Sequence, residues 1–303
     1  MSNTIITPSV IARRALATLY NTTVLAGLVW RDWDGDFTAK QGDTVTVRKP
    51  ATFTAEEFDA SAGITIQDAV ESSDTIVLDK IANVSWAVTD KEMTLTIEDF
   101  AAQFLTPAAE AIVQKVDGDL AELLVDTAEG VGGGGTVNKG VGAVASVAMI
   151  DAREVLARNK LPVNDRHAVF SPEGTSECLL DPLFVQAERS GSTDALREAN
   201  LGRVFGFDTY ESQVFGYGSG DRGQADGVAF HREAVCLATR PLATPRGIAP
   251  NQVAVESFKG LTLRTIYDYN HNKKRDEVSI DLLYGVKALR KAGVVQLNMG
   301  QGS

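Results

Sequence analysis

Four residues in the middle of the chain invite a chemical reading: His167, Ser171, Ser176 and Cys178 set a base close in sequence to two hydroxyls and a thiol. A nucleophile needs a base to take its proton and a donor loop to hold the oxyanion that follows. His167 lies in the short apolar run Arg166–Phe170, whereas Ser171 stands before Pro172 and Glu173 as a helix cap. The four residues therefore straddle a strand end and a helix start, and no oxyanion-binding loop accompanies them. The acid pairs Glu56-Glu57 and Glu98-Asp99 suit acid/base work, but a surface loop and a helix N-terminus account for them without chemistry.

The run Gly130-Val-Gly-Gly-Gly-Gly135 satisfies G-x-G-x-x-G, the glycine pattern that lets a pyrophosphate approach the backbone. That chemistry needs a strand before the glycines and a helix after them. Here a long helical pattern precedes, so the run is expected to be a flexible linker. Neither G-x-x-x-x-G-K-[ST] nor G-x-S-x-G occurs. Cys178 and Cys236 are far apart, and His167, His231 and His271 show no ligand spacing, so buried reduced thiols and no metal site are expected. Trp30, Trp33 and Trp86 suggest packing anchors ahead of base-stacking platforms. The expectation for sites is accordingly no catalytic, cofactor-binding or metal residue.

Charge narrows the partners. The net charge of −11 argues against wrapping nucleic acid, which needs clustered cations, though not against enclosing it. The distribution is uneven. Residues 51–128 hold 16 Asp or Glu against 3 Lys, a net of −13, while residues 258–291 hold 8 Lys or Arg against 4 acids, a net of +4. Such polarity lets the acidic part of one copy meet the basic part of another, although two solvated faces would read the same way. With 303 residues and 44% hydrophobic content the chain can fill real cores. No window has the roughly 18 apolar residues of a membrane span, and the start lacks a signal-peptide pattern, so a soluble cytoplasmic product is expected.

The elements that would position these residues read as follows. Residues 1–30 suggest an arm with one short helix, from the spacing of Val10, Ile11, Ala15, Leu16, Leu19 and Tyr20. Gly42–Arg48 alternates as a strand; residues 51–73 are acidic with apolar residues too thinly spaced for a core; Asp74–Leu78 and Ile81–Val88 return as strands. A long two-stranded flap results, marginal unless something covers it. The Thr96–Asp99 capping box and Thr106-Pro107 open two helices, the second with a stripe of Ala108, Ile112, Val116, Leu120 and Leu123. Val147–Asn159 is an amphipathic helix with Ile150, Val155 and Leu156 inward, and with strand Arg166–Phe170 it begins an α/β layer. Strands are expected at Asp208–Gln213 and Gly227–Phe230, with the loop Gly216–Gly223 between them. Leu261–Tyr267 and Val278–Tyr284 form a hairpin around the polar tip Asp268–Asp276, and Gly293–Leu297 is a last apolar run.

This order of parts resembles the major capsid proteins of tailed bacteriophages, specifically the phage P-twenty-two coat protein family of the HK-ninety-seven-type fold. The residues that carry the resemblance are Gly206-Phe-Asp-Thr-Tyr-Glu-Ser212, Val228–Val235 with Arg240-Pro241-Leu242, and Ser257-Phe-Lys-Gly-Leu-Thr-Leu-Arg264 ending in Leu283-Tyr-Gly-Val-Lys287. The resemblance implies an α+β fold: an N-terminal arm (1–35), an extended loop (36–90), a spine helix and peripheral domain (91–145), an axial domain (146–240), a peripheral hairpin (241–285) and a C-terminal strand after Gly285 that returns to the axial sheet (286–303). It also implies a coat subunit with no catalysis and no cofactor, located in the virion and assembled in the bacterial cytoplasm. Its partners would be itself in hexamers and pentamers, a separate scaffolding protein, a portal and a decoration protein, around double-stranded DNA and with no membrane. The segment between Gly206 and Val228 is too short for the extra domain of the namesake coat protein, and Lys40 and Lys49 are generic candidates to which no covalent cross-link is assigned. An encapsulin-like compartment shares the fold, and a soluble α/β nucleotide-binding enzyme is the rival of another class.

Overall fold

The computed structural model describes residues 24–31, 44–49, 53–55, 57, 66, 68, 72–90, 106–138, 144–185, 202–215, 225–245, 252–258 and 261–299. The arm helix expected before residue 24, Trp33, the Thr96–Asp99 capping box, Lys40 and the loop Gly216–Gly223 lie outside them. In chain order the elements are α1 (Leu25–Leu28), β1 (Thr44–Lys49), β2 (Ser72–Val77), β3 (Lys80–Thr89), α2 (Thr106–Glu129), β4 (Thr136–Asn138), α3 (Ala145–Arg158), β5 (Arg166–Phe170), α4 (Pro172–Leu180) and α5 (Pro182–Val185). Then come β6 (Arg203–Val204), β7 (Phe207–Glu211), β8 (Gly227–His231), β9 (Val235–Arg240), β10 (Val253–Phe258), β11 (Leu261–Asn270), β12 (Arg275–Ala288) and β13 (Val294–Asn298).

These strands make three sheets: a β1–β2 ribbon, a sheet ordered β10-β11-β12-β3 with β9 also on β12, and a six-stranded sheet ordered β4-β13-β8-β5-β7-β6. Leu283 pairs with Ile81 of β3 and with Arg240 of β9, so β9 takes the edge of β12 that β11 vacates. The 24 residues of α2 span about 36 Å at 1.5 Å per residue. Its apolar stripe packs Ile112, Val116, Leu120 and Leu124 into one core with Ala82, Leu263, Ile280 and Leu282 of the five-stranded sheet and with Val169, Val228 and Phe230 of the six-stranded one. The alternate residues of that second sheet, Ala168, Phe170, Ala229 and Val295, face α3 and α4 in a separate core. Period-two alternation thus gives the six-stranded sheet two buried faces, which is why β5 and β8 are buried at every position.

Several expectations change. The inward face of α3 is Ala148, Met149, Ala152 and Leu156, while Ile150 is 46% exposed, because a face of small residues lets the helix approach the sheet closely. The glycine run is no flexible linker. Gly134 N donates to Val294 O at 2.9 Å and Gly135 N to Ala128 O at 3.0 Å, and a Cβ on Gly133 would lie 2.1 Å from the Thr127 carbonyl oxygen. The segment is an ordered C-terminal cap that folds the end of α2 onto β13.

Nor does the last hairpin break at Gly285: β12 runs on to Ala288, and its second half pairs with β9. Glycine stands there because a Cβ would lie 2.0 Å from Val77 O, where the chain leaves the ribbon across β12. The return to the six-stranded sheet is made after Ala288. β9 and all ten residues of β3 belong to the five-stranded sheet, so the two-stranded ribbon ends at Val77 and, among the described residues of 146–240, none beyond His231 lies in the six-stranded sheet.

Candidate assembly interface

The spine of the molecule carries two buried acids that sequence reasoning passed over. Asp117 and Asp119 are two residues apart, about 200° around a helix, so they point to opposite sides of α2. Asp117, 3% exposed, faces α1, which has no capping side chain of its own. Its Oδ2 accepts the N–H of Val24 at 3.3 Å, and the amides of Leu25 and Ala26 also point at the carboxylate. Burial outweighs these donors and pushes its pKa up to about 6. Asp119 faces the sheet and accepts from Lys115 Nζ at 2.6 Å, Tyr284 OH at 2.7 Å and Lys80 Nζ at 3.0 Å. Burial would raise this group too, but those three hydrogen bonds prevail and hold it below the usual carboxylate range. One acid therefore ties the helix to α1, and the other ties it to β3 and β12.

The ribbon is held only at its base. Val47, Ile76 and Leu78 are buried with Cys236, Ala238 and Leu289, and Trp30 and Leu283 pack on that cluster. Beyond the paired residues Phe53 is 65% and Ile66 89% exposed. A two-stranded ribbon is marginal alone, and among the described residues nothing covers Phe53 or Ile66.

At the other end of β12 the turn His271–Lys274 is exposed, with Lys274 at φ 48. Part of the positive charge of residues 258–291 is paired within the hairpin. Arg275 pairs with Glu277 at 2.5 Å, Arg264 with Asp281 at 2.5 Å, and Asp90 binds Tyr269 OH at 2.7 Å. Lys273 and Lys274 are the exposed cations of the tip without an ion pair among the described residues.

The described residues singled out as chemically able are placed as follows. Ser171 Oγ accepts from Gly174 N at 2.9 Å as the expected helix cap, and Ser176 Oγ donates to Pro172 O at 2.8 Å. Cys178 is buried with its sulfur 3.7 Å from that of Met299, and Cys236 is buried under the ribbon. His167 is buried beside the rings of Tyr210 and Phe230, its pKa lowered chiefly by burial. His271 stacks edge-on against Tyr269 at 4.8 Å. Glu57 is exposed. Trp30 exchanges backbone hydrogen bonds with Val235 and Leu237, and Trp86 packs on the main core. No group of three potential metal ligands occurs among the described residues, and no helix of theirs is long and apolar enough to cross a membrane.

A two-stranded ribbon, a long central helix and two sheets packed around it make an architecture that solved structures share. The chain resembles a structure from Mycobacterium phage Che8, with a TM-score of 0.69, 21% identity and 91% of each chain covered. The capsid of cyanophage P-SCSP1u gives a TM-score of 0.69 at 12% identity, covering 93% of this chain and 89% of its own. The virus-like particle from Pyrococcus furiosus gives 0.55 at 10% identity, covering 95% and 97%. No curated protein matches. At these identities the likeness establishes the α+β, HK-ninety-seven-type capsid fold. A family model of phage capsid proteins matches residues 73–297, well over half of the chain. The chain belongs to the phage capsid protein family.

Proposed function

We propose that this chain is the major capsid protein of a tailed bacteriophage, in the phage P-twenty-two coat protein branch, and that it builds the icosahedral head around double-stranded DNA. The observation that carries the reading is the family match from the end of the ribbon to β13, on a fold that spans most of the phage chains compared. In this reading the ribbon is the extended loop, α2 the spine, the five-stranded sheet the peripheral domain and the six-stranded sheet the axial domain. Phe53 and Ile66 lie across a neighbouring subunit, so assembly supplies the cover that the isolated subunit lacks. The acidic segment 51–128 of one copy meets Lys273 and Lys274 of the next, which orients docking more than it strengthens it.

The chemistry is mechanical. No side chain acts as a catalyst, no cofactor is used, and DNA is enclosed without being read. A separate scaffolding protein, a portal and a decoration protein are the further partners, and assembly takes place in the host cytoplasm. The likeness to the virus-like particle supports a second reading, a cargo-holding compartment. Negative-stain microscopy of the expressed protein tests the first step: closed shells support the reading, and a small discrete oligomer contradicts it. Nuclease-protected double-stranded DNA in native particles separates a phage head from a protein-filled compartment.

A further inference from the structure

The two sheets are joined by two short crossings that lie side by side. Going out, β8 ends at His231 and β9 begins at Val235, with only the 3₁₀ turn Arg232–Ala234 between them. Coming back, β12 ends at Ala288 and β13 begins at Val294, through a second 3₁₀ turn at Lys291–Gly293. Ala234 O accepts from both Leu289 N at 2.8 Å and Arg290 N at 3.1 Å, and Arg290 reaches Glu233 at 3.4 Å. Arg232 N donates to Asp165 O at 3.0 Å. Glu233 N, the next donor of the outgoing turn, is taken by the Nδ1 atom of His231 at 3.2 Å.

We propose that neutral His231 is a latch on the junction between the two sheets, released when its ring takes up a proton. An imidazole nitrogen accepts an N–H only while it carries no proton itself, so Nδ1 must be bare and the ring proton must sit on Nε2. Protonation places an N–H against an N–H and removes the cap. The side chain is buried, at 3% exposure for the residue, so it cannot turn to water without opening the junction. The groups around it pull both ways. Glu233 on the turn and Asp165 before β5 favour the cation, whereas Arg290 on the returning crossing, Arg166 on β5 and the neighbouring His167 oppose it. Burial is the largest influence and lowers the pKa of His231 below its ordinary 6.5, so the latch is closed at neutral pH and opens on acidification below that value. Opening frees the outgoing turn where the two sheets join. The property belongs to the single subunit, so its failure would leave the capsid reading standing.

Hydrogen exchange of the Glu233 amide in unassembled subunits, corrected for the intrinsic effect of pH, tests it. Removing a helix cap changes local opening by about fivefold. Wild type should lose about fivefold protection at Glu233 once acidification has protonated the His231 ring, followed in the same samples by its own NMR shift, while His231→Asn, whose side-chain carbonyl accepts the same N–H without titrating, should keep its protection over the same acidification. Unchanged protection in the wild type, or an equal loss in His231→Asn, would overturn the proposal. The comparison needs only the Asn variant, which retains the cap and hence the folded junction.

Discussion

Asp117 offers a stability change whose sign runs against the usual intuition about losing a capping carboxylate. Its pKa rises from 3.8 to about 6 on folding, and one unit corresponds to about 1.4 kcal/mol. Because the folded-state value is the higher one, the native subunit binds more protons than the unfolded chain between about pH 4 and pH 6. Stability from this group is therefore greatest in acid and is lost as pH rises through that window. At neutral pH the ionised carboxylate costs about 3 kcal/mol.

Asp117→Asn keeps an acceptor for Val24 and removes the charge. The amide is a weaker acceptor for the α1 donors, which offsets about half of the gain, so the variant should be about 1–2 kcal/mol more stable than wild type near pH 7.5. The unfolded chain still ionises near pH 5, so the wild-type penalty there remains about half its neutral value and almost disappears by about pH 4. The advantage of the variant should shrink accordingly and then reverse. Urea unfolding of unassembled subunits at three pH values gives the difference directly, and the titration of His231 cancels between the two proteins. A gap independent of pH, or a variant less stable at neutral pH, would refute the reasoning.

Other perturbations read different parts of the fold. Tyr284→Phe removes a 2.7 Å hydrogen bond to the buried Asp119 and should cost about 1.5–3 kcal/mol in the same unfolding assay. Gly285→Ala forces a Cβ to within 2.0 Å of Val77 O and should destabilise by more than about 2 kcal/mol or yield insoluble subunits, where an exposed strand glycine would be improved by the same change. Reversing Lys273 and Lys274 together to Glu should slow shell assembly followed by light scattering and weaken its dependence on salt, while subunit stability stays within about 0.5 kcal/mol. Unchanged assembly at every ionic strength would remove these lysines from the docking contact.

What was legible in the chain depended on how local its cause is. Ser171 as a cap and Arg166–Phe170 as a strand follow from neighbouring residues, and both stand as read. The face of α3 was misread because hydrophobicity favours Ile150, whereas close packing on a sheet favours alanines. The break after Gly285 was an implication of the family resemblance and not of a neighbouring residue; the glycine's reason is the backbone of Val77, more than two hundred residues earlier. The glycine run after α2 looked loose because its partner Val294 is likewise remote. Asp117 and Asp119 left one usable signal, acids set between the buried residues Val116 and Leu120 of an amphipathic helix, with Lys115 one turn before Asp119. The His231 cap left none, because an isolated histidine after a buried strand does not reveal what its ring accepts.

The account depends on Phe53 and Ile66, beyond the ribbon's paired strands, being bare in the subunit and covered in the shell. Ile66→Cys places a thiol at a position that is 89% exposed, while Cys178 and Cys236 are buried and silent. Maleimide labelling of that thiol, in unassembled subunits and in assembled shells of the same variant, measures the cover directly. The account predicts fast labelling of the subunit and strong protection in the shell; equal labelling in both states would contradict it.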